Sequence, residues 1–317
     1  MIPKGEKYAV GFKMTMLAMG NGDSMLVSTW YPAEAGKDEV TLRELIARSA
    51  NHPGEDDAIN RFKDILKRIY DKDVTDEKAF EKCLDKKREA FHDATQLPGS
   101  FPLIIAASDP ASHFETFTWF ASHGFIVAGM HARFRQAEQD SVEPMKRYTD
   151  ALSFLLNYMY DRPGTDKNSI TAFGHGGGIQ SAMYLSMRTK RIQRVINEDG
   201  GFFGPRSQTT ASSDYRPDKF TIPLLHIATV SLQQEEDSLH FNAITSHITR
   251  IRIKPEMVWH HDFTVYGQVA GSCLGWRNDW VAIDKINEQL NYFMLQFARG
   301  KQLRNFSNAV FTIENFN

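Results

Sequence analysis

The sequence predicts an α/β fold: a doubly wound, mostly parallel sheet flanked by helices, with a helical insertion. From Phe101 onward, short apolar segments typical of buried strands alternate with segments whose apolar residues recur at helical spacing. The chain has 317 residues, of which 42% are hydrophobic, so it is long enough to bury a substantial core. We therefore expect residues 1–317 to form one α/β domain.

The periodicity of the chain assigns the strands. Two strands, Tyr8–Met19 and Ser24–Tyr31, are separated by the turn-forming residues 20–23 (Gly-Asn-Gly-Asp). Further strands are predicted at Leu103–Ala107, Phe125–Met130, Ser169–Phe173, Arg194–Asn197, Leu224–Ala228 and near Ile251–Val258.

Helices are predicted between these strands. One has an apolar face that runs from Met145 to Met159. The last has an apolar face from Ile283 to Phe297 and stops at Gly300, a natural C-cap.

Residues 40–97 interrupt the alternation and are charged and helical in pattern. Thr41-Leu42-Arg43-Glu44 fits a capping box, and apolar residues between Ala58 and Ile69 keep helical spacing. A third helix is predicted from about Thr75 to Phe91. We expect a helical insertion packed on the edge of the sheet, with a lid over a pocket as the alternative interpretation.

The run Phe173-Gly174-His175-Gly176-Gly177-Gly178 lies between a predicted strand and a predicted helix. That is the setting of the nucleophile elbow, G-x-S-x-G, in which a serine on a sharp turn presents its hydroxyl to substrate. Gly176 occupies the serine position. Since glycine has no hydroxyl, no acyl-enzyme can form there. Ser181, inside the following helix, and Ser108, on another loop, are poor substitutes.

Four segments follow one another in a recognisable order. They are Phe101–Arg133, which contains Ala121-Ser122-His123-Gly124-Phe125-Ile126-Val127-Ala128, then the glycine run, Val195-Ile196-Asn197-Glu198-Asp199-Gly200 and His260-His261-Asp262-Phe263. Together they resemble the α/β-hydrolases, in the branch of platelet-activating-factor acetylhydrolase and dienelactone hydrolase. The resemblance covers residues 6–32 and 101–300 and implies an α/β-hydrolase fold.

The resemblance also implies roles. A triad needs a nucleophile, a base and an orienting acid, and the order nucleophile, acid, histidine is that of α/β-hydrolases. Asp199 matches the acid and His260 the base, with His261 as the near alternative. For Asp199, the structural alternative is a loop residue that begins a turn. For the histidine, it is a structural side chain that is hydrogen-bonded beside Trp259.

Metal binding by His260, His261 and Asp262 is disfavoured, because adjacent residues of a strand point in different directions. The sequence therefore predicts no metal ligand and no cofactor. The expected substrate-binding residues lie beside the elbow and in the two loops that face it: His175, Gly177, Asp109, Pro110 and His261.

The oxyanion loop departs from the family pattern. Ser108-Asp109 stands where the family has His-Gly, and Pro110 follows. One oxyanion donor usually comes from a backbone N–H in this loop, and proline has none. An aspartate there would also repel a developing oxyanion.

Three functions remain open. The first is a hydrolase of carboxylic-ester or lipid substrates, in which Gly176 is a substitution for serine or another group compensates for it. The second is a degenerate hydrolase that acts as a binding or scaffold protein, a pseudoenzyme. The third is non-covalent catalysis, in which Asp199 and His260 activate water or abstract a substrate proton.

Net charge and apolar content limit the classes of partner that we expect. The net charge of −2 argues against a nucleic-acid or anionic-membrane surface, and no apolar run approaches a membrane span. The expected partner is a small ester or acyl ligand, and the oligomeric state stays open. Cys83 and Cys273 allow at most one disulfide. The first residues lack a signal-peptide apolar region, which leaves a cytoplasmic and an exported location both open.

Overall fold

One twelve-stranded sheet organises the chain in the computed structural model, which describes residues 7–19, 24–49, 54–131, 142–203, 212–233, 244 and 246–316. In sequence order the strands are β1 Ala9–Ala18, β2 Ser24–Ala33, β3 Glu39–Thr41, β4 Lys87–His92, β5 Phe101–Ala106, β6 Ile126–Met130, β7 Thr165–His175, β8 Arg194–Glu198, β9 Leu224–Ala228, β10 Ile248–Ile253, β11 Phe306–Ser307 and β12 Phe311–Phe316. Their order across the sheet is β11-β12-β10-β9-β8-β7-β5-β6-β2-β1-β4-β3.

The centre of the sheet is parallel and its two sides are mostly antiparallel. The six strands β6, β5, β7, β8, β9 and β10 run parallel to their neighbours. On one side β2 and β1 continue the sheet in antiparallel register, and on the other side β12 pairs antiparallel with β10. The central strands are almost wholly buried, as expected for strands covered by helices on both faces.

The helices cover both faces. Those of eight residues or more are α1 Leu42–Ser49, α2 Glu55–Tyr70, α3 Glu77–Leu84, α4 Phe114–Ser122, α5 Val142–Tyr160, α6 Gly178–Arg188 and the C-terminal helix Trp280–Ala298. Helix α4 and the C-terminal helix pack into the core on one face, while α5 and α6 pack into the core on the other. Over the described ranges, no helix is long and apolar enough to cross a bilayer.

The chain reverses its direction of winding at β5. Strand β6 lies on one side of β5, and the next strand, β7, lies on the other. The loops that leave the carboxyl ends of β5 and β7 therefore meet at a topological switch point, where α/β sheets form their binding crevices. This point holds the glycine run of the sequence analysis.

The predicted α/β class is confirmed, and most of the predicted strands agree with the structure within a few residues. The third helix ends at Leu84, so the prediction of helix up to Phe91 is wrong: β4 pairs with β1 and β3 instead. The strand predicted near residues 251–258 begins and ends earlier, at Ile248 and Ile253. The C-terminal strands β11 and β12 were not predicted. The predicted turn at residues 20–23 lies outside the described residues.

The insertion is fastened to the segment that follows β10. Cys83 of α3 forms a disulfide with Cys273, across a sequence separation of 190 residues. Phe62 of α2 stacks on Tyr266 with a centroid separation of 4.9 Å. These contacts join two stretches of chain that are far apart in sequence, and one of the two carries His260 and His261.

Removal of the disulfide tests how much it contributes to stability. In the double variant Cys83→Ser/Cys273→Ser, the free energy of unfolding should be about 2–5 kcal/mol lower than in the wild type, because the disulfide restricts the unfolded chain. Urea unfolding followed by circular dichroism measures the change. Adding reductant to the wild type should give the same loss, whereas reductant should leave the double variant unchanged. Equal urea midpoints for the wild type and the double variant would contradict a stabilising role of the disulfide.

Candidate active site

The glycine run forms a sharp turn between a strand and a helix. Strand β7 ends at His175 and α6 begins at Gly178, with Gly176 at the apex. The φ angle of Gly176 is +54°, in the left-handed region that L-residues rarely adopt. This is the backbone conformation expected at a nucleophile elbow.

The two flanking glycines are required by packing. A Cβ atom on Gly174 would lie 2.5 Å from the Cα atom of Ile179, and a Cβ atom on Gly178 would lie 1.6 Å from the carbonyl oxygen of Ala107. Both neighbours are backbone atoms and have little freedom to move. The helix therefore approaches the end of β5 more closely than any side chain at these positions permits.

Asp199 and His260 are hydrogen-bonded to each other. The Nδ1–Oδ2 distance is 2.9 Å, and the carboxylate is buried while the imidazole is about one-third exposed. Since a carboxylate accepts, the ring donates from Nδ1, which leaves the lone pair of Nε2 free in the neutral ring.

His260 faces the apex of the elbow. A Cβ atom built on Gly176 would lie 3.1 Å from Nε2 of His260, closer than ordinary van der Waals contact. The imidazole thus reaches the space that a serine side chain would occupy. Of the two candidate histidines, His260 holds this position.

Asp199 is held in place by Thr229, which the sequence analysis missed. Oδ1 of Asp199 accepts hydrogen bonds from the backbone N–H of Thr229 at 2.7 Å and from its hydroxyl at 2.8 Å. Burial alone would raise the pKa of Asp199, but the bonds from His260 and Thr229 outweigh it and lower the pKa. Asp199 has a φ of +50°, an uncommon conformation for a residue with a side chain.

A second ion pair fixes the loop that carries His260. The guanidinium of Arg277 donates to both carboxylate oxygens of Asp262 at 2.7 and 2.9 Å, with both side chains buried. Arg277 also lies over the ring of Trp259, 4.4 Å from its centroid. Asp262 is therefore engaged by Arg277, while His260 turns to Asp199.

His261 lies beside this arrangement without entering it. Its ring meets that of His260 edge-on, with centroids 5.1 Å apart. Burial and the neighbouring His260 and Arg68 lower the pKa of His261 to about 4, so the ring is neutral near pH 7.

The loop after β5 places one exposed residue, Asp109, between two buried ones, Ser108 and Pro110. Asp109 is exposed, and its carboxylate accepts a bond from the N–H of Ala111 at 3.3 Å. Pro110 is buried, with its ring against Gly129 of β6. Ser108 accepts a hydrogen bond from the N–H of His175 at 3.1 Å, which ties this loop to the elbow.

The ring of His175 is mostly buried between His260 and Glu198, and its expected role in substrate binding stays a prediction. Its ring stacks on His260 with centroids 4.1 Å apart, and its Nδ1 lies 3.3 Å from Oε2 of Glu198. On the other side of Glu198 lies His113, at 3.4 Å. Burial, together with the neighbouring His260 and His113, lowers the pKa of His175 to about 3.

Glu198 and His113 were also missed from the sequence. Burial would raise the pKa of Glu198, but the two adjacent imidazoles outweigh it and hold the pKa at about 2. The available signal was modest: Glu198 precedes the predicted acid, and His113 lies three residues after Pro110.

The two serines considered as substitutes are engaged elsewhere. Ser181 is fully buried in α6, where its hydroxyl contacts the sulfur of Met145. Ser108 is buried beneath the elbow, as described above. Gly177 is exposed, and a Cβ atom there would meet no atom within 4 Å.

Comparison with known proteins supports the fold. No family model and no curated protein matches the sequence. Among solved structures, the chain is similar to a ferulic acid esterase from Streptomyces cinnamoneus, with a TM-score of 0.66 over 97% of this chain and 95% of that one, at 14% identity. The chain has the α/β-hydrolase fold, as the sequence predicted. Its membership of the α/β-hydrolase superfamily, and of one branch of it, stays a prediction.

Two adjacent glycines provide a matched test of the elbow. Gly178→Ala should destabilise the protein by about 3 kcal/mol or more, because the new methyl group would overlap the carbonyl of Ala107. Gly177→Ala should stay within about 0.5 kcal/mol of the wild type, because its site is open. Thermal and urea unfolding measure both. Similar losses for the two variants would contradict the close approach of helix and strand.

Proposed function

We propose that the protein is an esterase-like hydrolase of a small carboxylic-ester or acyl substrate, in which His260 activates a water molecule in place of a serine. The observation that carries the proposal is the position of His260 Nε2, 3.1 Å from where a Cβ atom of residue 176 would lie. A base with a free lone pair thus faces the place where the attacking oxygen of an α/β-hydrolase is found.

The chemistry needs no covalent intermediate. Nε2 of His260 takes a proton from water as the water oxygen bonds to the ester carbonyl carbon. The tetrahedral intermediate then breaks its bond to the alcohol oxygen, which receives the proton from Nε2. The buried Asp199 carboxylate stabilises the transient imidazolium and fixes its orientation. Such general-base catalysis contributes about 10²–10⁴-fold.

The developing oxyanion needs donors. In this fold one comes from the N–H of the residue after the nucleophile position, here Gly177, and the second from the loop after β5. In this chain that second loop carries Asp109 and Pro110. A carboxylate near the oxyanion weakens its stabilisation, so we expect slow turnover.

The same loop supports a second candidate, a binding protein without catalysis. Asp109 is exposed, and Pro110 offers no N–H. If the oxyanion cannot be stabilised, the crevice retains an ester or acyl ligand without cleaving it. The assignment of an ester or acyl ligand in both cases rests on the fold, which is also that of a ferulic acid esterase.

Within this proposal, the chain functions as one α/β-hydrolase domain, and residues 40–97 fasten the loop of His260. Tyr70 of α2 stacks near Trp259, with ring centroids 6.2 Å apart. The disulfide of Cys83 and Cys273 adds a covalent tie. A lid role for the insertion stays a prediction.

The base role is tested by removal of the imidazole. The wild type should hydrolyse p-nitrophenyl acetate slowly but above the buffer rate, and His260→Ala should lower kcat/KM by about 100-fold or to the buffer rate. His123→Asn, at the far end of α4, is the control and should leave the rate unchanged. Wild-type turnover at the buffer rate, together with saturable binding of a phenyl ester, would favour the binding protein.

A restored serine tests the elbow and the oxyanion loop together. Gly176→Ser should gain only weak activity, because Nε2 of His260 crowds the new side chain and the loop after β5 lacks a good oxyanion donor. Adding Asp109→Gly and Pro110→Leu should raise kcat further. A trapped acyl-enzyme, detected by mass spectrometry, reports the serine directly. Full activity from Gly176→Ser alone would show that the loop is competent as it stands.

A further inference from the structure

Three buried polar atoms converge beneath the elbow. Nε2 of His113, Nδ1 of His175 and Oε2 of Glu198 all lie within 4.8 Å of one another. Among the described residues, none of the three atoms has a hydrogen-bond partner. His113 and Glu198 are each only 2% exposed. Unpartnered buried donors and acceptors are costly, so this cluster requires a physical explanation.

Two of the three spacings between these atoms match those of ligands around an ion. Four donors in a tetrahedron about 2.0–2.1 Å from a zinc ion lie about 3.3–3.4 Å from one another. The two nitrogen–oxygen separations in the cluster are 3.4 Å for His113 and 3.3 Å for His175. Both fit the edge of such a tetrahedron.

We propose that His113, His175 and Glu198 bind a divalent transition-metal ion, with Zn²⁺ as the best match. Two imidazole nitrogens and one carboxylate oxygen form a donor set that zinc accepts readily, and they leave a fourth position for water. A hard ion such as Mg²⁺, which prefers oxygen ligands, suits the set poorly.

The surroundings orient the ligands. Nδ1 of His113 lies 3.4 Å from the carbonyl oxygen of Asp109 and 3.1 Å from the hydroxyl of Ser112. Donation from Nδ1 to the carbonyl places the lone pair on Nε2, the nitrogen that faces the cluster. This outer bond to a carbonyl is typical of metal-ligating histidines. On the other ligand, the ring of His175 is held by its stack on His260.

An acidic cavity borders the cluster. This cavity of about 100 Å³ is lined by His113 and Glu198 and also by Asp284 and Glu288 of the C-terminal helix, both of which are exposed. Among the described residues that line it, none is a lysine or an arginine. The exposed carboxylates therefore favour entry of a cation.

A purely hydrogen-bonded cluster is the competing explanation. In that case both imidazoles would donate to the single oxygen of Glu198. Their separations reach the upper limit for hydrogen bonds, yet neither contact has hydrogen-bond alignment. A metal ion explains this misalignment, because each lone pair then points at the ion and not at the carboxylate.

The bound ion would join three segments at the carboxyl edge of the sheet: the loop after β5, the end of β7 and the end of β8. It lies under the elbow and requires no ester chemistry. The metal site and the proposed hydrolysis can thus each fail without the other.

The test begins with the wild-type protein. After dialysis against a chelator, titration with Zn²⁺ by calorimetry should give one site per chain and raise the melting temperature, while Mg²⁺ should do neither. Co²⁺ should give the visible absorption of a tetrahedral site. Absence of saturable Zn²⁺ binding and of a Co²⁺ spectrum would overturn the proposal and leave the hydrogen-bonded cluster.

Variants locate the site. His113→Asn and Glu198→Gln should each weaken Zn²⁺ binding at least about 100-fold, since each loses a direct ligand. The matched control is His123→Asn, because His113 and His123 flank the two ends of α4. Circular dichroism checks that each variant is folded. Unchanged Zn²⁺ affinity in folded His113→Asn or Glu198→Gln, or an equal loss in the control, would place the ion elsewhere and refute the assignment.

Discussion

The contact of Gly178 with the carbonyl of Ala107 is the constraint on which the site depends. It presses the first turn of α6 against the carboxyl end of β5, at the point where the sheet changes its direction of winding. Any side chain at position 178 would force the helix outward and open the turn at Gly176. Gly176 and His175 lie in the turn that this approach holds against the end of β5.

Several contacts hold Asp199 and His260, the pair that we propose as acid and base. Asp199 retains an uncommon backbone conformation, which costs about 1–3 kcal/mol and persists only where the surroundings enforce it. Thr229 enforces it through two hydrogen bonds to one carboxylate oxygen, and Arg277 holds the loop of His260 through Asp262. Such support favours the proposed role of His260 as a base.

Local pattern was enough to predict much of this molecule. Periodicity located the central strands and the C-terminal helix, and the spacing of glycines located the turn, because both signals lie within a few neighbouring residues. Strand β4 was read as helix, although Arg88 and Ala90 alternate with exposed neighbours, because its partners β1 and β3 come from other parts of the chain.

The same limit explains the site residues that were missed. Thr229, His113 and Glu198 belong to the ends of three different strands or loops, and only the sheet brings them to one edge. Their contacts could not be read from one segment. Neither could the pairing of Cys83 with Cys273, whose cysteines have no distinctive spacing.

The two margins of the sheet leave little backbone for a second chain to pair with. The strand at one margin, β11, has two residues and the one at the other, β3, has three, so each leaves few unpaired backbone groups for a second chain to extend. Behind β11, β12 covers the whole length of β10 with the last strand of the chain. Removal of β12 would uncover the N–H and C=O groups of β10 from Ile248 to Ile253, and an unpaired edge of this length is one that a second chain could extend. Strand β12 thus protects the edge of β10 as well as extending the sheet.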